Sequence, residues 1–205
     1  YKDVFVNKKK EYLTERQDRI NGGTLLVDID MRFSEDVTTR KFNINHLSDI
    51  LELYGDAIQE VIKSDEEYNF KAYVFQKPNV VSKKGKETKD GIHIVFGLSM
   101  HHSIQLIIRD IVMNLEETER QIFTDLECVN SVNDIFDECI SIGRNNWQVW
   151  GSGKPGCDIY KLVSIWNYSI VGEEVFMEQE VNAINKEVNI EELLPIVSAK
   201  NKNFI

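Results

Sequence analysis

Cysteine and proline are both scarce in this chain of 205 residues, which contains only three of each. The cysteines, Cys128, Cys139 and Cys157, are odd in number and widely spaced, and none belongs to a Cys-x-x-Cys pair. This pattern argues against a disulfide framework and against any zinc site that spacing alone would reveal. We therefore expect the protein to work in a reducing compartment and not to be secreted.

Long apolar runs and an excess of positive charge are also missing. No run approaches the roughly 20 apolar residues that a membrane-spanning helix requires, so we expect no membrane segment. The 24 Lys and Arg residues against 34 Asp and Glu residues give a formal net charge of −10. This charge argues against wholesale duplex binding, which depends on neutralising phosphates. A local basic groove remains compatible with an acidic protein.

The composition is nevertheless that of a folded protein, because 42% of the residues are hydrophobic and no Pro/Gly/Ser-rich linker or internal repeat interrupts the chain. We predict a single α/β (α+β) domain over residues 1–205, with the start of a linker at about 195–205. Residue alternation and helical periodicity predict the elements. Strands are expected over 24–31, 71–75, 91–96, 147–150 and 160–168, and helices over 46–63, 104–115 and, weakly, the acidic stretch 173–192.

An Asp-x-Asp pair lies in the first predicted strand. Because side chains alternate across a strand, Asp28, Asp30 and Arg32 face away from the apolar stripe that begins at Leu25. Two carboxylates side by side repel one another unless they share a divalent cation. We favour this functional interpretation, since Asp is disfavoured in strand interiors. The alternative is an exposed sheet edge where both acids face water.

His93 lies in a second apolar strand, where it projects to the face opposite Ile92 and Ile94. Its imidazole could donate a hydrogen bond to a phosphate, and Gly91 leaves room beside it for a ligand or another backbone. The alternative is an ordinary half-buried histidine. We interpret His46, His101 and His102 as structural residues.

A glycine-rich turn, Gly151-Ser152-Gly153-Lys154, follows Asp137 and the Asn145-Asn146 pair. Such a turn can leave backbone N–H groups free to form an anion-binding concavity beside the Lys154 ammonium. It lacks the complete frame of a P-loop. An ordinary turn with a solvated lysine therefore remains the alternative.

Taken in order, these motifs resemble the archaeo-eukaryotic primase superfamily over nearly the whole chain. Asp28-Ile29-Asp30 is similar to its acidic strand, Gly91-Ile92-His93 to its small-x-His strand, and Phe136-Asp137 to its later hydrophobic-Asp motif. The likeness is closest to primase-helicases of giant viruses and poxviruses. The chain departs from the common pattern at Gly91, where serine is frequent, and at Asp30, where glutamate is frequent. A common arginine before the conserved lysine is also unmatched.

The resemblance implies an archaeo-eukaryotic primase fold with an RRM-like mixed or antiparallel sheet that carries the catalytic acids. It implies a primase-polymerase that makes primers on single-stranded DNA from NTPs or dNTPs during viral DNA replication, with Mg²⁺ or Mn²⁺ as catalytic ions. A helicase domain is expected downstream in the full protein. The implied location is the host cytoplasm or a viral replication site.

Roles follow residue by residue from the same resemblance. The catalytic and metal-binding residues are Asp28, Asp30 and Asp137. The nucleotide-binding residues are Lys89, Gly91, His93, Ser152 and Lys154. By their charge or position beside these motifs, further candidates for contacts to template or phosphate are Arg32, Lys83, Lys84, Lys86, Arg144 and Asn146. Trp147 and Trp150 are candidates for base stacking, although we favour core packing for both.

Two other classes of function remain open at the level of the sequence. A metal-dependent nuclease, or a nucleotidyltransferase of another superfamily, could use the same acids without binding an incoming triphosphate through His93 and Lys154. A noncatalytic nucleic-acid-binding module would tolerate the loss of Asp28 and Asp30. Metal-dependent nucleotide incorporation separates the three classes.

Overall fold

The structure is a computed structural model that describes residues 4–5, 7, 9–63, 66–83, 85–114, 121–180 and 189–202. The strands are β1 (Thr14–Glu15), β2 (Gly23–Phe33), β3 (Tyr68–Gln76), β4 (Val81–Lys83), β5 (Lys86–Met100), β6 (Trp147–Gln148), β7 (Lys161–Val171) and β8 (Glu174–Gln179). The helices are α1 (Ile44–Val61), α2 (His102–Asn114), α3 (Gln121–Asp125), α4 (Val132–Ile135), α5 (Glu138–Ser141) and α6 (Ile190–Ile196). Within these ranges, no helix combines the length and apolarity needed to cross a bilayer.

A six-stranded antiparallel sheet organises the chain. Five strands follow the order β2-β5-β3-β7-β8, and β4 pairs with β5 beside this path. A separate short ladder joins β1 to β6. The predicted α+β class, with an antiparallel sheet and a few helices, is therefore confirmed.

Each face of the sheet covers its own hydrophobic core. On the first face, Leu25, Val27 and Ile29 of β2 belong to a large cluster that includes residues of α1 and α2. On the second face, Leu26 belongs to a smaller cluster that includes Trp147 and residues of α5 and α6. The alternation along β2 thus directs odd and even positions into different cores, as expected for a strand.

Helix α1 begins where the sequence provides a cap for it. The Asn43 side chain accepts hydrogen bonds from the backbone N–H groups of Asn45 and His46, and His46 Nδ1 accepts one from the Asn43 N–H. This reciprocal arrangement satisfies N–H groups that a helix start leaves without intrahelical partners. The structural interpretation of His46 agrees with this contact.

Several predicted boundaries change. Lys86 and Lys89, which lie between the predicted strands 71–75 and 91–96, belong to β5, because β4 and β5 form a hairpin there. Only two residues of the predicted strand 147–150 pair, as β6. The weak helix predicted over 173–192 is wrong in its first part, because residues 174–179 form β8, while a helix, α6, begins at Ile190. Residues 181–188 lie outside the described part of the chain.

The segment that follows α6 packs against the body of the protein. The Ser198 carbonyl accepts a hydrogen bond from the Thr24 hydroxyl, and the Asn201 carbonyl accepts one from the Ser99 hydroxyl at 2.6 Å. The Glu15 carboxylate accepts from the Ser198 hydroxyl at 2.8 Å and from the Ala199 N–H at 2.7 Å. The described part of the predicted linker is therefore anchored to β1, β2 and β5 up to Asn201.

Candidate active site

A cavity of about 1160 Å³ lies on the second face of the sheet. It brings together ten of the residues that the sequence nominated: Asp28, Asp30, Arg32, Lys89, Gly91, His93, Asp137, Arg144, Asn146 and Lys154. Ser152 and Lys86 do not line it. Lys84 and the side chain of Lys83 lie outside the described part of the chain. We call this cavity the catalytic pocket below.

The register between β2 and β5 explains why these residues meet. Asp28 pairs with His93, Asp30 with Gly91, and Arg32 with Lys89. Directly opposed residues of an antiparallel ladder place their side chains on the same face, about 4.5–5.5 Å apart at Cβ. Three alternate positions on each strand therefore assemble one side of the pocket.

Asp137 reaches the pocket from a different part of the chain. The residue before it, Phe136, forms an isolated bridge with Ile29, and the Asp137 N–H donates to the Asp28 carbonyl at 3.1 Å. The buried guanidinium of Arg109 donates to the Phe136 carbonyl at 2.9 and 3.2 Å. These contacts fix the Asp137 backbone beside the Asp-x-Asp strand.

The Asp137 side chain is also oriented. One carboxylate oxygen accepts from the Cys139 N–H at 2.9 Å, so that Asp137 caps helix α5. The other accepts from the Asn145 side chain at 3.2 Å. Asn145 is in turn tied to the Gln17 side chain, which donates to the Asn145 carbonyl at 2.8 Å. The sequence left Asp137 without a secondary-structure assignment, and the structure places it at the start of α5.

Asp28 is the carboxylate whose charge the pocket disfavours. Its pKa is raised to about 7, chiefly by burial and then by the charges of Asp137 and Asp30, while Lys154 and Lys77 act in the opposite direction. Repulsion between ionised carboxylates is the reason that neighbouring acids resist losing all their protons. The pocket therefore concentrates negative charge that a bound cation would offset.

Basic side chains surround this negative charge. Lys89 Nζ lies 3.9 Å and Arg32 Nε 4.0 Å from Asp30 Oδ2. Lys77, Lys154 and Arg144 also line the pocket. The mixture of carboxylates and cations distinguishes this cavity from a purely acidic metal site and provides ligands for both metal ions and phosphates.

His93 is held between aromatic neighbours. Its ring stacks on Tyr160 with the centroids 3.7 Å apart and an angle of 18°, and the Trp147 ring lies 4.5 Å away. Its Nε2 lies 3.4 Å from Asp28 Oδ1. The pKa of His93 is lowered to about 3, chiefly by burial and then by the charges of Lys77 and Lys154, so the imidazole is neutral near neutral pH. A neutral imidazole keeps one N–H donor.

The room that Gly91 leaves is occupied by Tyr160. A Cβ at position 91 would lie 2.9 Å from the Tyr160 hydroxyl oxygen and 3.3 Å from the Ile29 carbonyl oxygen. Burial raises the pKa of Tyr160, and Asp28, Asp30 and Asp90 raise it further, so the phenol keeps its proton. The Lys77 ammonium lies 4.9 Å from the centre of the same ring. Gly91 thus admits a hydroxyl donor to the pocket.

The glycine-rich turn is built differently from the sequence expectation. The N–H groups of Ser152 and Gly153 donate to the carbonyls of Val149 and Glu11, so they are not free to bind an anion. The Ser152 side chain is fully buried, with its hydroxyl 2.9 and 2.7 Å from the Leu13 and Val149 carbonyls. Of this turn, Lys154 is the nominated residue that lines the pocket.

The pocket also contains lining residues to which the sequence assigned no role, among them Lys77, Asn145, Tyr160 and Tyr12. Tyr160 carries no local signal, because its partner His93 is distant in sequence. Lys77 directly follows β3, and a cation immediately after an apolar strand is a signal that could have identified it as a pocket residue. Trp147, which is 3% exposed, packs in the second core as favoured from the sequence, although it also contacts His93.

The donor set suits a hard divalent cation, since carboxylate oxygens are the ligands that Mg²⁺ and Mn²⁺ prefer. Mutual repulsion at Asp28 is consistent with such an ion. Within the described residues, however, no group of three or more His, Cys, Asp or Glu side chains is close enough to hold a metal. The three carboxylates share the pocket without forming a closed ligand cluster.

Comparison with known protein families gives an informative match. A family model described as the C962R protein N-terminal AEP domain, where AEP stands for archaeo-eukaryotic primase, matches residues 1–166. This range includes all three carboxylates, His93 and Lys154. No curated protein matches the chain closely enough to count as a relative.

Proposed function

This chain belongs to the archaeo-eukaryotic primases, through the family of the C962R N-terminal domain, and from that membership we propose that it is a DNA-dependent primase-polymerase. It would synthesise primers on single-stranded DNA from NTPs or dNTPs during viral DNA replication. The observation that carries the proposal is the convergence of Asp28, Asp30 and Asp137 with His93 and Lys154 in one pocket. A downstream helicase domain in the full protein belongs to the same proposal.

We assign the metal ions to the carboxylates of Asp28, Asp30 and Asp137. Bound Mg²⁺ or Mn²⁺ would activate the attacking 3′-hydroxyl and offset the charge of the triphosphate and the leaving pyrophosphate. The protein itself fixes the orientation of these carboxylates. Asn145 and the Cys139 N–H orient Asp137, and the β2–β5 ladder orients the other two.

The basic and aromatic side chains bind the incoming nucleotide in this proposal. Lys77, Lys89 and Lys154 offset charge on the phosphates, which is the main protein contribution in phosphoryl transfer. His93 donates its single N–H, and the stacked Tyr160 ring fixes the plane of the imidazole. The Tyr160 hydroxyl adds a second neutral donor beside it.

The direct test is nucleotide incorporation. Purified protein is incubated with single-stranded DNA, labelled NTPs or dNTPs, and Mg²⁺ or Mn²⁺, beside the variant Asp28→Asn/Asp30→Asn. The matched control, Asp49→Asn/Glu52→Gln, removes the same charge from two exposed positions of α1. We expect template-dependent products from the wild type and the control, and at least a ~1000-fold loss in the pocket variant, typical for removal of groups that act as a unit.

Other outcomes point to the other classes. Metal-dependent DNA cleavage without incorporation would indicate a nuclease. DNA binding that survives the pocket variant, with neither cleavage nor incorporation by the wild type, would indicate a noncatalytic module. Either result overturns the primase proposal.

A further inference from the structure

A second cavity, of about 520 Å³, lies apart from the catalytic pocket and is lined by cations from opposite ends of the chain. Arg16 and Arg19 precede β2, and Lys200 and Lys202 follow α6. All four side chains are exposed. We call this cavity the basic groove. Its charge contrasts with the net −10 of the whole chain.

Hydrogen bonds hold the backbone on both sides of the groove in place. The Glu15 carboxylate accepts hydrogen bonds from the Ser198 hydroxyl and the Ala199 N–H, so the residue before Arg16 is tied to the residues just before Lys200. Bonds from the Thr24 and Ser99 hydroxyls hold the same turn. Ordered backbone therefore carries both sides of the groove.

The four cations keep their charge available. Within the described part of the chain, none of them lies within 4.0 Å of a carboxylate. One acid, Asp18, also lines the groove and interacts electrostatically with Lys202 at longer range. Its carboxylate accepts hydrogen bonds from the N–H groups of Ile20 and Asn21 and from the Asn21 side chain. A surface with four unpaired cations attracts a polyanion.

A continuous stretch of chain connects the groove to the catalytic pocket. Tyr12 and Thr14 line the pocket, and residues 16–22 line the groove. We call residues 12–19 the N-terminal strip. Extended chain rises at most about 3.6 Å per residue, so Thr14 and Arg19 are at most about 18 Å apart. This span corresponds to only a few nucleotides of a strand.

The strip also carries an aromatic side chain where it meets the pocket. Tyr12 is 47% exposed, and Asn146, another pocket residue, donates to the neighbouring Thr14 hydroxyl at 3.2 Å. Proteins that hold single strands combine an exposed aromatic, on which a base stacks, with cations that follow the backbone. The N-terminal strip contains both components, the exposed ring of Tyr12 and the cations Arg16 and Arg19.

We propose that the N-terminal strip and the basic groove bind a single-stranded nucleic acid as it leaves the catalytic pocket. The Tyr12 ring stacks on a base at the pocket, and the four cations contact phosphates of the following nucleotides. This inference rests on the proposed function for the direction of the strand, and extends it by assigning a binding surface outside the reaction site.

The test measures binding separately from synthesis. Fluorescence anisotropy is recorded over a series of salt concentrations with labelled oligothymidylates of about 6 and about 20 nucleotides. These lengths lie near the lower end and above the upper end of known single-strand site sizes, about 4–16 nucleotides. The variant is Arg16→Ala/Arg19→Ala/Lys200→Ala/Lys202→Ala, beside Arg16→Lys/Arg19→Lys, which keeps the charge. The control, Lys41→Ala/Lys63→Ala, removes two exposed cations elsewhere and is compared with Lys200→Ala/Lys202→Ala, which removes the same charge from the groove.

We expect the alanine variant to bind the longer oligonucleotide about 10–100-fold more weakly, with a shallower salt dependence, because each lost phosphate contact removes about 0.7 from the log–log slope. Affinity for the shorter oligonucleotide should change less. The lysine variant and the control should bind nearly as well as the wild type. Tyr12→Ala should weaken binding without changing the salt slope, since stacking releases no counterions.

Unchanged affinity and slope in the alanine variant, at an unchanged melting temperature, would overturn the inference. So would poly(glutamate) binding that depends on the same four side chains to the same extent, which would indicate an acidic protein partner. Salt-sensitive DNA binding that depends on the four cations, in a wild type that incorporates no nucleotide, would support the inference about the groove and overturn the proposed function. Nucleotide incorporation by a wild type whose DNA binding does not depend on these cations would support the proposed function and overturn the inference.

Discussion

The imidazole of His93 and the phenol ring of Tyr160 lie face to face, with centroids 3.7 Å apart. This contact allows the ring and the hydroxyl of Tyr160 to be tested separately. Tyr160→Phe keeps the stack and removes the donor, so we expect the KM for nucleotide to rise about 3–10-fold, as for loss of one hydrogen bond. Tyr160→Ala should also lower kcat. Equal kinetics for wild type and Tyr160→Phe would show that the hydroxyl does not reach the nucleotide.

The pKa of Asp28 links stability to pH. Because its pKa rises from 3.8 to about 7 in the fold, between about pH 4 and pH 7 the folded state retains a proton that the unfolded state has released. The free energy of unfolding therefore falls as pH rises through this window. Below about pH 4, both states are protonated and the contribution is constant.

Asp28→Asn removes this penalty while keeping the shape of the side chain. One pKa unit corresponds to about 1.4 kcal/mol, and the partial exposure of the side chain reduces the effect, so we expect a gain of about 1–3 kcal/mol at pH ~8 and little at pH ~4. Urea unfolding measures both. Mn²⁺ should raise the melting temperature of the wild type at pH ~8 and not that of the variant. A wild-type advantage at pH ~8 without metal would contradict the prediction.

Arg40 should be essential to stability through Asp90. Its guanidinium donates to both Asp90 carboxylate oxygens, at 2.7 and 2.8 Å, and the Asp90 side chain is fully buried. Arg40→Ala leaves that carboxylate without its cation, so we expect a loss of about 3–5 kcal/mol by urea unfolding. The double variant Arg40→Ala/Asp90→Asn should recover part of the loss. A single variant as stable as the wild type would contradict the proposed dependence.

Asn145 should act by positioning Asp137. Removing its amide in Asn145→Ala leaves one Asp137 oxygen without its 3.2 Å donor. We expect incorporation to fall about 5–10-fold at limiting Mg²⁺, the equivalent of roughly 1 kcal/mol, and to recover toward wild-type rates at high Mg²⁺. Asn69→Ala, at an exposed site on β3, serves as the control. A loss that no metal concentration reduces would assign Asn145 another role.

The cysteines should report on occupancy of the pocket. Cys157 is exposed and lines the pocket, whereas burial raises the pKa of Cys128 to about 11. Because the thiolate is the reactive form, we expect a maleimide at pH ~8 to modify Cys157 well before Cys128. Nucleotide with Mg²⁺ should slow the Cys157 reaction, as followed by mass spectrometry. Cys157→Ser should lack the protected phase, and labelling insensitive to nucleotide would place the ligand elsewhere.

The parts of the fold with strong local patterns could be predicted from the sequence. The alternation around Asp28 and Asp30 gave the correct face for both acids, and the periodicity after Asn43 gave α1 nearly to its ends. The acidic stretch that contains β8 was wrongly predicted as a helix, because apolar and polar residues alternate only weakly there. The strand forms through its ladder with β7, a pairing that the local sequence does not indicate.

The parts of the candidate site that depend on contacts between distant segments could not be predicted from the sequence. No local pattern places the Tyr160 hydroxyl over Gly91 or ties Glu15 to Ser198. The turn before Lys154 shows the converse limitation: its residues suit an anion site, but the carbonyls of Val149 and Glu11 use the N–H groups first. Competition of this kind is decided by the tertiary fold.

Because the pairing of β2 with β5 both stabilises the sheet and aligns the pocket residues, a chain that folds stably also has an aligned catalytic pocket. A slip of one residue would turn Asp28 and Asp30 into the first core and bring Val27 and Ile29 out of it. Molecules with that error would lose the packing that holds the sheet together, and would unfold instead of accumulating as inactive copies. Selection for a stable sheet and selection for an aligned set of carboxylates therefore act on the same pairing, Asp28 with His93.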